Sequence, residues 1–85
     1  MIQKNLRTKY DEAFKECFLL DEGDDLATLA YQSIEAWDSV GHMSLVGMIE
    51  DSFSILLEMD DIIDFSSYEQ GILILQKYGI NLTIE

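Results

Sequence analysis

The chain has no proline, one cysteine (Cys17), one histidine (His42) and only five basic residues among 85. A single cysteine excludes an internal disulfide, so the disulfide-stapled scaffold of small secreted domains is closed, and a cytoplasmic location is the expectation. One histidine and one cysteine leave no zinc ligand set, and no metal is expected. No apolar run approaches the roughly 18 residues of a membrane span, and the opening MIQKNLRTKY lacks the apolar segment of a secretion signal. The shortage of cations is as informative: five Lys and Arg face 17 Asp and Glu, a net charge of −12. Such a surface repels nucleic acid and anionic membranes and favours basic proteins as partners.

What is present reads as one domain over residues 1–85, with 48% hydrophobic and 26% charged residues in the globular range. A chain this short buries about 60–65% of its unfolded surface, too little to wall a deep catalytic cavity, so an enzyme is not expected. Apolar spacing of three and four predicts an all-α fold, a small four-helix bundle of three main helices and one short one with a long first loop. The first helix spans about Ile2 to Leu19, with Leu6, Tyr10, Ala13, Phe14, Cys17 and Phe18 on its inner stripe. Asp21-Glu22-Gly23-Asp24-Asp25 then reads as an exposed loop, because a helix-stopping glycine sits among mutually repelling carboxylates. From Leu26 to Trp37 the pattern fits a loose helix and a tacked-down connection equally. A central helix follows from Val40 to about Leu57, then a short one near Asp60–Phe65. The last helix is predicted to open on a Ser66–Glu69 capping box and to close with Gly79 just past its C-terminus. Ile80 to Glu85 alternate, and without a partner strand they read as an extended tail.

Two features carry chemistry. Residues 16 to 76 contain no Lys or Arg but fourteen carboxylates, seven of which (Asp38, Glu50, Asp51, Glu58, Asp60, Asp61, Asp64) lie on or around the central helix and its short successor. A solvated face explains an acidic run, but the complete lack of interspersed cations also suits steering of basic partners. Secondly, Trp37-Asp38-Ser39-Val40-Gly41-His42-Met43 puts a serine where loop becomes helix. Free backbone N–H groups and the positive end of the helix dipole there favour a phosphate on that hydroxyl. The plain alternative is that Asp38 or Ser39 is the N-cap; if Ser39 is, its replacement by alanine costs about 1 kcal/mol.

These residues resemble the acyl carrier proteins, a family that includes the peptidyl carrier domains, over nearly the whole chain. Asp38-Ser39-Val40 is similar to the family's Asp-Ser-Leu motif, and Leu45, Val46, Ile49, Glu50, Asp51 and Phe53 continue its pattern along the second helix. Phe65, Tyr68, Gly71, Ile72 and Leu75 resemble its later core positions. The resemblance implies 4′-phosphopantetheine attached to Ser39 from coenzyme A by a separate Mg²⁺-dependent transferase, with Asp38 and Val40 as recognition neighbours. It implies a substrate of other enzymes rather than a catalyst: acyl or aminoacyl groups ride as thioesters between acyl-activating, acyltransferase or synthase partners with basic patches. Met43, Glu50, Asp51, Asp60 and Asp61 become docking positions, and a shuttle of this kind works as a monomer. Ser44, Gly41 and His42 depart from many fatty-acid carriers, and Trp37 with Gly41-His42-Met43 is closer to free-standing carriers of specialised pathways such as polyketide, nonribosomal peptide or surface-polysaccharide assembly.

A second reading remains open: an acidic helical adaptor that binds a basic protein with no prosthetic group, Ser39 then being a dispensable cap. A Ser39-His42-Asp38 nucleophile is set aside, since neighbours on one helix start leave no oxyanion site or cleft. The acidic stretches lack the ligand spacing of an EF-hand. Cys17 is expected buried and inert, Trp37 as the anchor of the loop, and His42 as a surface residue. The resemblance implies room for an acyl chain between the second and third helices, and against it stand Ile62, Ile63 and Phe65, which are large enough to fill that space.

Overall fold

The computed structural model describes residues 6–21 and 23–82. Among these the chain forms four helices and no strand: α1 (Leu6–Phe18), α2 (Ser39–Phe53), α3 (Met59–Asp64) and α4 (Tyr68–Gln76). The all-α, four-helix expectation holds. The expected beginning of the first helix near Ile2, together with Lys4, Glu22 and residues 83–85 of the tail, lies outside the described residues.

The inner stripe of α1 buries Tyr10, Ala13, Phe14 and Phe18, leaves Cys17 half-buried and leaves Leu6 at the surface. The helix ends on Leu19, which takes the left-handed conformation at φ 55° so that the Leu20 N–H reaches the Lys15 carbonyl at 2.9 Å. Glycine normally fills this position, because a side chain there crowds the following carbonyl. The stretch from Leu26 to Trp37 resolves as a connection rather than a helix. It is tacked to the start of α4 where the Tyr31 N–H donates to the Ser66 carbonyl and the Tyr68 N–H to that of Leu29.

Helix α2 stops at Phe53, one turn short of the predicted Leu57. Ser54 turns left-handed at φ 55°, the Ile55 N–H returns to the Glu50 carbonyl, and Glu50 Oε2 accepts the Leu57 N–H at 2.8 Å. Beyond the stop Leu57 points inward and Leu56 outward, an alternation that short apolar runs share with helices and that misled the boundary. The cap of α4 is also shifted by one: Ser67, not Ser66, accepts the Gln70 N–H, because the Ser66 carbonyl is already bonded to Tyr31. Its other end comes at Gln76 with Lys77 as cap, two residues before the expected Tyr78, and Gly79 at φ 83° closes the turn that follows, with the Ile80 N–H on the Leu75 carbonyl.

The core is an aromatic seam. Tyr10, Phe14 and Phe18 of α1 meet Trp37, Phe65 and Tyr68, with Phe14 in ring contact with all five others. Leu45, Val46 and Ile49 of α2 and Leu75 of α4 complete the buried cluster. Ile80 and Leu82 also turn inward, so the described part of the tail is packed rather than loose. Polar stitching closes this side: the Tyr10 hydroxyl donates to the Tyr68 carbonyl at 2.5 Å, Arg7 Nε donates to the Tyr68 hydroxyl at 2.8 Å, and that hydroxyl donates to Asp11. No described helix is long and apolar enough to cross a membrane.

Candidate functional site at the start of the second helix

Helix α2 begins because Asp38 begins it. The Asp38 backbone is extended, and its carboxylate accepts the Gly41 N–H at 2.8 Å, satisfying one of the donors that a helix start leaves over. The division of labour between neighbours is thereby fixed: Asp38 is the cap, and Ser39 is the first helical residue with an exposed side chain outside the cap. The backbone N–H groups of Ser39 and Val40 are among the unsatisfied donors of this helix start. Gly41 lets the loop come close, since a Cβ there would run into the Ala36 carbonyl.

A groove of about 320 Å³ opens beside Ser39, with Met43 and His42 of α2 on one wall, Met59, Ile62 and Ile63 of α3 on the other, and Tyr31, Phe65 and Ser66 closing it. Its surface is mostly hydrocarbon. Ile62, Ile63 and Phe65 line this space and do not fill it: Phe65 is fully buried in the floor, while Ile63 stays 70% exposed at the rim. Val40 and Met43 are likewise exposed, next to Ser39.

His42 is not the surface residue expected. Its ring is half-buried and stacks on Trp37 at 6.2 Å between centroids. Trp37 Nε1–H donates to His42 Nδ1 at 3.0 Å, and His42 Nε2 lies 2.8 Å from the Ile62 carbonyl. Indole nitrogen can only donate, so Nδ1 accepts and Nε2 carries the hydrogen toward Ile62. Trp37 itself is fully buried and stacked on Phe18 at 5.3 Å, the anchor that the sequence suggests. Cys17 is half-buried instead of buried; burial still pushes its thiol pKa up, and its Sγ lies 3.6 Å from the Gly41 carbonyl.

The acidic residues divide in two. Asp51 and Asp60 stand exposed, as do Glu58 and Asp64. Asp61 does not: it is 6% exposed, with Lys77 Nζ on one carboxylate oxygen at 2.5 Å and the Tyr78 hydroxyl on the other at 2.6 Å. Those two hydrogen bonds, Lys77 first, hold its carboxyl below the usual carboxylate range. As a docking position Asp61 is therefore corrected to an internal tie between α3 and the end of α4. A period of three and four over six residues cannot tell which of several acids faces inward. Glu50 is half-buried with one oxygen committed to Leu57, leaving it a smaller role at the surface than Asp51.

The described residues contain no cluster of three or more His, Cys, Asp or Glu that could hold a metal ion. They do fit a phosphate-linked arm: an exposed hydroxyl, free N–H groups at the positive end of a fifteen-residue helix, and an apolar groove alongside. Comparison of the chain with protein-family models, curated proteins and solved structures gives no match.

Proposed function

We propose that this chain is an acyl carrier protein of the cytoplasm, modified with 4′-phosphopantetheine on Ser39 and docking transiently on basic partner enzymes. The observation that carries this reading is that Asp38 supplies the cap, which leaves the Ser39 hydroxyl exposed beside an apolar groove. In the modification by a separate transferase, the Ser39 oxygen forms a bond to the phosphorus on the pantetheine side of coenzyme A. The pyrophosphate bond breaks, the adenosine bisphosphate leaves, and the serine proton passes to the transferase. When bound, the arm supplies a terminal thiol that holds an acyl group as a thioester. The chain's own part is to present: the N-terminus of α2 offers N–H groups and a partial positive charge to the phosphate, and the groove shields apolar parts from water. Val40 and Met43, exposed next to Ser39, offer apolar contact to a partner, and Asp51 and Asp60 offer charge.

The test is intact-protein mass spectrometry after incubation with coenzyme A, Mg²⁺ and a broad-specificity pantetheinyl transferase. One phosphopantetheine is gained by the parent chain and none by Ser39→Ala. No gain on folded parent, with a known carrier modified in the same tube, refutes the reading and favours an acidic adaptor for basic proteins.

A further inference from the structure

The walls of the groove belong to different helices, and one side chain joins them. α3 has six residues, and its N-cap Glu58 makes no side-chain cap bond, so little within the helix itself holds it in place. Its far side is tied to α4 through Asp61; its groove side meets α2 through the bond from His42 Nε2 to the Ile62 carbonyl. His42 can donate there only with hydrogen on Nε2, and the Trp37 indole, fully buried in the aromatic seam, enforces that tautomer by donating to Nδ1. The ring is oriented from behind by a buried donor and aimed at the backbone of the opposite wall.

We infer that His42 is a latch across the groove: its bond to the Ile62 carbonyl sets the distance of α3 from α2, and with it the girth of the apolar group admitted beside Ser39. This makes His42 a positioning and size-determining residue for the carried group, and in that respect it rests on the carrier reading. The latch itself is a property of the unmodified chain and is measured there.

Three proteins decide it, all without an arm: the parent, His42→Phe, which keeps a ring against Trp37 but has no donor, and His42→Gln, whose amide nitrogen can reach the Ile62 carbonyl. Amide hydrogen exchange read by NMR should accelerate about fivefold in α3 of His42→Phe relative to α1 and α4, the loss expected for one hydrogen bond. In His42→Gln it should stay within about twofold of the parent. Where the phenyl ring overpacks the site, His42→Met makes the same deletion. Uncharged N-phenylnaphthylamine, which the acidic surface does not repel, reads the groove directly. Its dissociation constant should change in His42→Phe and stay with the parent in His42→Gln. Uniform acceleration in all helices, equal behaviour of the two variants, or an unchanged dye affinity in His42→Phe overturns the latch. None of these depends on whether Ser39 is modified, so the latch and the carrier reading fail separately.

Discussion

The two sides of this small bundle treat the same kinds of residue in opposite ways. Along the seam of α1, Trp37 and α4, every ring is buried and the tyrosine hydroxyls are paired within the fold. On the other face of Phe65 and His42, at the start of α2 and along α3, Val40, Met43, Met59 and Ile63 are between 55% and 75% exposed. No shortage of apolar material explains the contrast. The seam is closed by long-range packing, whereas α3 is held by a few polar ties that leave its apolar side chains facing an open groove. The closed core and the open apolar groove thus occupy different parts of the fold, and four exposed apolar side chains stand together on the side that carries Ser39.

The sharpest way to break that contrast is a pair of truncations. Phe14→Ala should cost about 4 kcal/mol, a large share of the stability of a domain of this size, while Ile63→Ala should cost less than about 0.5 kcal/mol, both read by urea denaturation. Comparable losses would mean that the groove side is core after all. Alkali attacks the seam selectively. Burial first, then the hydrogen bond to Asp11, raises the Tyr68 pKa from 10.0 to about 12, and Tyr10 is pushed up further by burial. A raised pKa in the fold gives stability that is fully present below the unfolded value and lost as pH rises through the folded one. Far-UV circular dichroism should therefore show helix loss between pH 10 and about 12. Helix unchanged through and beyond that window would show that ionisation of these phenols is not coupled to unfolding of the seam.

A smaller effect separates the two neighbours at the site. Asp38→Ala should cost about 1 kcal/mol as a lost cap, and Ser39→Ala almost nothing, since Ser39 is not the cap. A larger loss for Ser39→Ala would return the serine to a structural role and weaken its assignment as an attachment point. The smallest effect has the opposite sign. Leu19 is 89% exposed in the left-handed region, so Leu19→Gly should stabilise the fold by about 0.5 kcal/mol in the same denaturation assay.

Much of this was legible before the structure. The stripe of α1, the order and number of the helices, Gly79 past the end of α4 and Trp37 as anchor all follow from spacing and composition, because each depends on neighbours in the sequence. That Ser39 and Met43 share one side of α2 follows from their spacing of four, whereas the groove beside them needs α3 as its other wall. What escaped depends on distant partners. The inward turn of Asp61 requires Lys77 and Tyr78, sixteen and seventeen residues away, to arrive on the same side. The cap of α4 moved from Ser66 to Ser67 because the loop at Tyr31 had claimed a carbonyl. His42 looked solvent-bound because its two hydrogen-bonding partners, Trp37 and Ile62, come together only in the folded chain. The one signal available was its place five residues after a tryptophan, with Trp37 just before the cap Asp38 and His42 at the fourth helical position, a pair that packs together at helix starts.

Trp37 is the only tryptophan in the chain. It lies between Phe18 below and His42 above, with the groove on the far side of the imidazole. Its emission is therefore a built-in optical gauge with no competing indole. Unfolding shifts it by wetting the ring, and any event that turns His42 changes it by removing the acceptor of its N–H. A single unlabelled protein can thus report, in one spectrum, both on the solid half of the molecule and on what enters the open one.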